Sequence, residues 1–153
     1  MSESLSELHW PVCFVAPVCA WVVAQGTKML VGFHRTHRLD FKYLVSTGGM
    51  PSAHSSLVAG TATALGLVAG FRTPLFALGF VFSLIVMFDA STVRRAAGQQ
   101  ARLLNEIIEE FFTEHHFSER KLAELLGHTR FEVFMGALMG VLVALMVWSL
   151  ALT

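Results

Sequence analysis

The sequence predicts an all-α integral-membrane bundle. It has about four transmembrane helices, with amphipathic helices between the third and the fourth, in one domain over residues 1–153. Three observations predict it. The chain is 54% hydrophobic and 14% charged, where a soluble domain carries about 25% charged residues, and its mean hydropathy is +0.60. Four apolar segments stand at residues 10–33, 55–71, 74–88 and 131–152. Basic residues gather in two of the connecting loops, as they do in membrane proteins of fixed orientation. Lys and Arg number 11 and Asp and Glu 11, so the net charge is +0. That balance excludes a nucleic-acid partner.

The first segment carries Gln25, Gly26 and Lys28 in its C-terminal half. The second and third are shorter and separated only by Arg72, Thr73 and Pro74, which makes them a helical hairpin. The fourth holds about 20 apolar residues without a charge, enough to cross a bilayer. Arg35, Arg38 and Lys42 follow the first segment. Arg94, Arg95, Arg102, Arg120, Lys121 and Arg130 follow the third, against Arg72 alone on the opposite face. The two basic loops are therefore expected on the cytoplasmic side, with both termini outside.

Residues 91–130 are expected to be mostly helical. Leu103, Leu104, Ile107, Ile108, Phe111 and Phe112 form one apolar stripe, and Arg102, Glu106, Glu109 and Glu110 form the opposite face. Such a helix packs on the membrane core or lies at the interface. A shorter helix is expected from Ser118, ending at Gly127. Cys13 and Cys19 lie in an apolar stretch and read as small buried hydrophobes rather than a disulfide.

Four clusters of chemistry-bearing residues fall on one predicted membrane face. Lys28 and Arg35 are seven apart, about two helical turns, so one face can present both. Gly48, Gly49, Met50, Pro51, Ser52, Ala53 and His54 form a Gly-rich turn leading onto a helix. Glycines let backbone N–H groups converge on an anion, and a helix start points its positive end at the same place. His54 then stands where a proton can pass to a leaving oxygen. Asp89, Arg94 and Arg95 close the third segment. His128 and Glu132 open the fourth; they are four apart, so on a helix their side chains meet and the carboxylate holds the imidazole in one tautomer. Taken singly, each cluster has a plain structural reading: snorkelling cations, a helix cap, an ion pair, a local His–Glu pair. Together they place two histidines, a carboxylate and several cations on one rim, where ionisable groups are costly and mark function.

These pieces resemble the three signature motifs of the type 2 phosphatidic acid phosphatase superfamily, in its small divergent branch. Lys28 and Arg35 keep the spacing of the first motif, with Thr36 in place of its proline. Pro51, Ser52, Ala53 and His54 match the second. His128 and Glu132 keep the His-to-acid spacing of the third, with Glu for Asp, and Gly136 to Gly140 resembles the small-residue stretch after it. Leu122 stands where the third motif has its arginine, and Arg94 and Arg95 are the substitutes.

The resemblance implies a lipid phosphate phosphatase. His128 would be the nucleophile, oriented by Glu132, and His54 the acid and then the base. Lys28, Arg35, Arg94, Arg95, Ser52 and the backbone around Gly49 would bind phosphate. No cofactor and no metal are implied. His115 and His116 beside Glu114 are not joint ligands, because neighbours on a helix point about 100° apart. The substrate would be a phosphorylated lipid held in the membrane: phosphatidic acid, a phosphatidylglycerophosphate-like lipid or a polyprenyl phosphate. A bundle this small has few side chains to enclose the site, which is compatible with a homodimer. The competing function is an anion-binding membrane module without turnover; the presence of both histidines favours the enzyme.

Overall fold

The computed structural model describes residues 9–36, 49–112 and 127–153. Among the described residues are five helices: α1 (Val12–Thr36), α2 (Ala53–Ala69), α3 (Pro74–Ser91), α4 (Val93–Phe112) and α5 (Arg130–Ala151). The four apolar segments are all helices, each within a few residues of the predicted ends. The expected helix from Ser118, and Glu114, His115, His116 and Leu122, lie outside the described residues.

Local chemistry sets the boundaries. Ser52 caps α2, its hydroxyl accepting from the Ser55 N–H at 3.3 Å. Gly70, at φ +99°, turns the chain out of α2. Thr73 caps α3, accepting from the Phe76 N–H at 3.3 Å, and Pro74 takes the first turn, where its missing N–H is no loss. Thr129 caps α5 through a capping box with Glu132.

Among the described residues, three helical stretches are long and apolar enough to cross a membrane: Val12–His34, Pro74–Ile108 and Arg130–Ala151. Helix α2 has 17 residues, about 26 Å of rise, slightly short of a hydrocarbon core of about 30 Å. It is the central helix, packed by α1, α3 and α5. The Pro74–Ile108 stretch has 35 residues, far more than a bilayer needs, and it is interrupted at Thr92, between α3 and α4.

Small residues four apart build the core. Ala16, Ala20 and Ala24 on α1, Ser56, Gly60 and Ala64 on α2, and Gly136, Gly140 and Ala144 on α5 are all buried. A Cβ on Gly140 would collide with the Ser56 carbonyl, and one on Gly136 with the Ser52 carbonyl. In lipid, where apolar surface gives no net drive to association, such backbone proximity is what holds helices together. The Ser56 hydroxyl adds a bond to the Ala20 carbonyl at 2.9 Å, fastening α2 to α1.

Of the two placements expected for the amphipathic helix α4, the burial pattern favours the interface. Gly98 and Asn105 are the buried positions, whereas Leu103, Leu104 and Ile107 are exposed. Arg102 and Glu106 pair at 3.1 Å on the surface. An apolar stripe turned away from the protein suits a helix lying at the membrane interface. The side chains of Glu109, Glu110, Phe111 and Phe112 lie outside the description.

Candidate active site

All three small-residue stripes continue, one helical step of four further, into a polar residue. Ala16, Ala20 and Ala24 lead to Lys28; Ala64, Gly60 and Ser56 lead to Ser52; Ala144, Gly140 and Gly136 lead to Glu132. The helices are packed so closely along these lines that the three side chains arrive at one end of the bundle together.

Lys28 is 4% exposed and lies in the electrostatic field of the Glu132 carboxylate. Ser52 is fully buried, and its backbone N–H donates to the Glu132 carbonyl at 3.0 Å. The Ser52 hydroxyl accepts from the Ser55 hydroxyl at 2.9 Å, and Ser55 too is fully buried. His128 is 2% exposed, with Nδ1 3.2 Å from Glu132 Oε2. The same oxygen accepts from the Thr129 N–H at 2.9 Å. One carboxylate oxygen therefore caps α5 and orients the imidazole.

The contact between His128 and Glu132 has a different origin from the predicted one. His128 is not on the helix; α5 begins at Arg130 with Thr129 as its cap. The carboxylate of the third helical residue folds back to the cap, and His128, one residue before the cap, meets it there. The His128 N–H also donates to the Ala90 carbonyl at 3.2 Å, tying it to the last turn of α3.

His54 stands on the first turn of α2 and is exposed, at the rim rather than among the buried groups. Gly49 is exposed, at φ +90°, a conformation that favours glycine. The Met50–Pro51 bond between it and Ser52 is cis. Arg35 lies in the last turn of α1, and Arg94 and Arg95 in the first turn of α4; their side chains are outside the description. The structure thus brings Lys28, Ser52, His128 and Glu132 together and sets His54 and Gly49 at the edge.

Sequence reasoning passed over Thr129, Ser55 and the Ala90 carbonyl. The first two had a signal: Thr129 followed three residues later by Glu132 is a capping-box pattern, and Ser52 with Ser55 has the spacing of an N-cap. The Ala90 carbonyl had none, since its role depends on where two distant helix ends meet. Among the described residues, no group of three or more His, Cys, Asp or Glu side chains is placed to hold a metal ion.

A buried lysine, a capped serine and a carboxylate-held histidine, carried on the motifs noted above, agree with what the chain is related to. It is 37% identical over 142 residues, 86% of this chain and 90% of the relative, to the "Uncharacterized membrane protein YuiD" of Bacillus subtilis (strain 168). No solved structure matches it. Residues 11–143 match the Divergent PAP2 family, a span that reaches from α1 into the first part of α5 and includes every candidate site residue, and the chain belongs to that family.

Proposed function

We propose that the protein is an integral-membrane phosphatase that removes phosphate from a phosphorylated lipid through a phosphohistidine intermediate. The observation that carries this reading is His128: a buried imidazole whose Nδ1 is held by Glu132 beside a buried lysine. With Nδ1–H donated to the carboxylate, Nε2 carries the lone pair and is the nucleophile.

In the first step Nε2 attacks phosphorus, a P–N bond forms, and the P–O bond to the lipid alcohol breaks. His54 gives its proton to the departing oxygen. In the second step His54 takes a proton from water, the oxygen of that water attacks phosphorus, and the P–N bond breaks to release inorganic phosphate and free His128. Lys28, the Ser52 hydroxyl and the backbone around Gly49 offset the charge on the phosphoryl oxygens, with Arg35, Arg94 and Arg95 completing the cationic wall. His54 at the exposed rim suits a group that must meet both the leaving lipid and water. Phosphatidic acid, phosphatidylglycerophosphate-like lipids and polyprenyl phosphates all present the required headgroup on a membrane-held tail.

The test is phosphate release by the detergent-purified protein from a panel of these lipids. His128→Ala should lower the rate by at least about 10³-fold with helix content unchanged, and His54→Ala should act in the same direction. Phosphorus NMR of the quenched wild type should give a phosphohistidine signal that the His128 variant lacks. Full activity in His128→Ala refutes the assignment. The basic loops support a site on the cytoplasmic face; on that reading a cysteine replacing Lys42 should resist an impermeant thiol reagent in intact cells, and ready labelling inverts the orientation.

A further inference from the structure

Helices α3 and α5 both flank α2 but barely touch each other. Between them, over α2, runs an apolar groove of about 290 Å³. Ala59 and Thr63 of α2 form its floor, Phe80 and Met87 of α3 one wall, and Ala137 and Val141 of α5 the other. At the far end Phe76 stacks on Phe80 with ring centroids 5.9 Å apart, and Phe71 meets Phe76 edge-on at 5.1 Å. The one hydroxyl on the α3 wall, Ser83, is turned inward to the Val58 and Gly79 carbonyls at 2.7 and 2.8 Å, so the groove presents carbon.

The near end of the groove, at Met87 and Ala137, runs towards the site. The His128 N–H to Ala90 carbonyl bond, 3.2 Å long, joins the start of α5 to the end of α3. Ala90 is three residues beyond Met87, and Ala137 follows Gly136, the residue packed on the Ser52 carbonyl. A molecule lying in the groove thus has its upper end directed towards the residues that carry His128. Only Gly79, Ser83 and Ala90 of α3 are buried, so this helix presents the rest of its apolar surface, and the mouth of the groove, to the bilayer. At that depth a hydrocarbon chain can fill the groove, because nothing polar there would hold water.

We propose that this groove binds one hydrocarbon chain of the phosphorylated lipid whose phosphate occupies the Lys28, Ser52 and His128 cluster. The inference rests on the placement of phosphate in the phosphatase reading, but it requires binding only. A volume of about 290 Å³ holds part of one chain and no more, so the second chain of a diacyl lipid stays in the membrane. The fold then selects its ligand twice, by an anion at the rim and by a tail that follows the α3–α5 gap down.

The test uses the wild-type protein in phosphatidylcholine vesicles containing a trace of phosphatidic acid with a diazirine near one chain end. A parallel sample carries the same diazirine chain on phosphatidylcholine. After irradiation, the labelled peptides are mapped. The phosphatidic acid probe should label Phe80, Met87 and Val141 about tenfold more than the phosphatidylcholine probe at equal mole fraction, which corresponds to about 1.4 kcal/mol of headgroup preference. In Lys28→Met that preference should vanish. Equal labelling of the groove by both probes makes it a surface for bulk lipid and overturns the proposal, as does phosphatidic acid labelling confined to other helices. Selective labelling without phosphate release from any lipid leaves the groove standing and removes the phosphatase; release with unselective labelling does the reverse.

Discussion

The two ends of the bundle are packed on the same three lines and made of opposite materials. At the far end the lines carry Ala16, Ala64 and Ala144, all fully buried, with Val12, Val68, Val147 and Trp148 around them. At the near end they carry Lys28, Ser52 and Glu132, with buried His128 beside them. Packing asks the same of both ends, a small residue that lets backbones approach, and the far end supplies it. A lysine 4% exposed in an apolar helix answers no packing need, and desolvating its charge is costly. On the proposed function, the difference between the ends is what the site adds to the packing. The strongest way to break the comparison is through the shared lines. Gly140→Leu sets a side chain against the Ser56 carbonyl and the Gly60 N–H, halfway between the ends. It should destabilise the protein by about 3 kcal/mol or more, read as a lower midpoint of unfolding in mixed micelles, and should lower expression. A variant as stable as wild type would mean that the close approach is not what holds the helices.

The second prediction sharpens the comparison by making the near end resemble the far one. Lys28→Met replaces the buried ammonium with an apolar chain of similar length. Stability should rise by about 1–2 kcal/mol, as when buried charges give way to packed hydrophobes. Phosphate release should fall by about 10²-fold, the loss expected when one donor is removed from the charge developing in the transition state. The two readouts move in opposite directions only if Lys28 is there for chemistry. If Lys28→Met loses stability together with activity, Lys28 is a structural partner of Glu132, and the polar end is part of the fold after all.

Much of this contrast was written in the sequence, and the missing parts have physical reasons. The apolar segments were legible because a bilayer demands long runs without charge, and their ends fell close to the helix ends. Lys28, Ser52, His128 and Glu132 were named from residue type and spacing together with the resemblance to the family motifs. The stripes could not be named that way. Four-residue spacing recurs in any helix, and only the identity of the facing helix shows that Gly136 and Gly140 pack on Ser52 and Ser56 of the same chain. For α4 two placements stayed open in the sequence, on the membrane core or at the interface, because amphipathicity gives a direction but not the partner; the exposed Leu103, Leu104 and Ile107 fit the interface. The His128–Glu132 contact was anticipated for the wrong reason: a spacing of four was taken as a helical turn, when the helix starts two residues after the histidine.

That correction carries the smallest and most discriminating prediction. Because His128 precedes the cap, the acid must reach back past Thr129 to meet it, and Glu132 does so with one oxygen that also accepts the Thr129 N–H. An aspartate is one methylene shorter and cannot span both contacts from the third helical position. Glu132→Asp should therefore lower phosphate release by about tenfold while costing about 0.5–1 kcal/mol of stability from the weakened cap. Glu132→Gln separates the two roles. Its amide oxygen still takes the Thr129 N–H, so the cap and the stability should be nearly kept, but a neutral amide no longer favours the His128 imidazolium that forms as the reaction proceeds. Thr129→Ala is the converse: it should cost about 1 kcal/mol through the lost bond to the Glu132 N–H, 3.2 Å long, and leave the rate largely intact. If Gln and Ala lose activity in proportion to stability, the carboxylate only holds the helix end. If the Gln variant is as stable as wild type and slow, with the Ala variant weaker and fast, the same oxygen serves fold and chemistry by separable contacts, and the substitution of Glu for Asp in this chain is explained by where its helix begins.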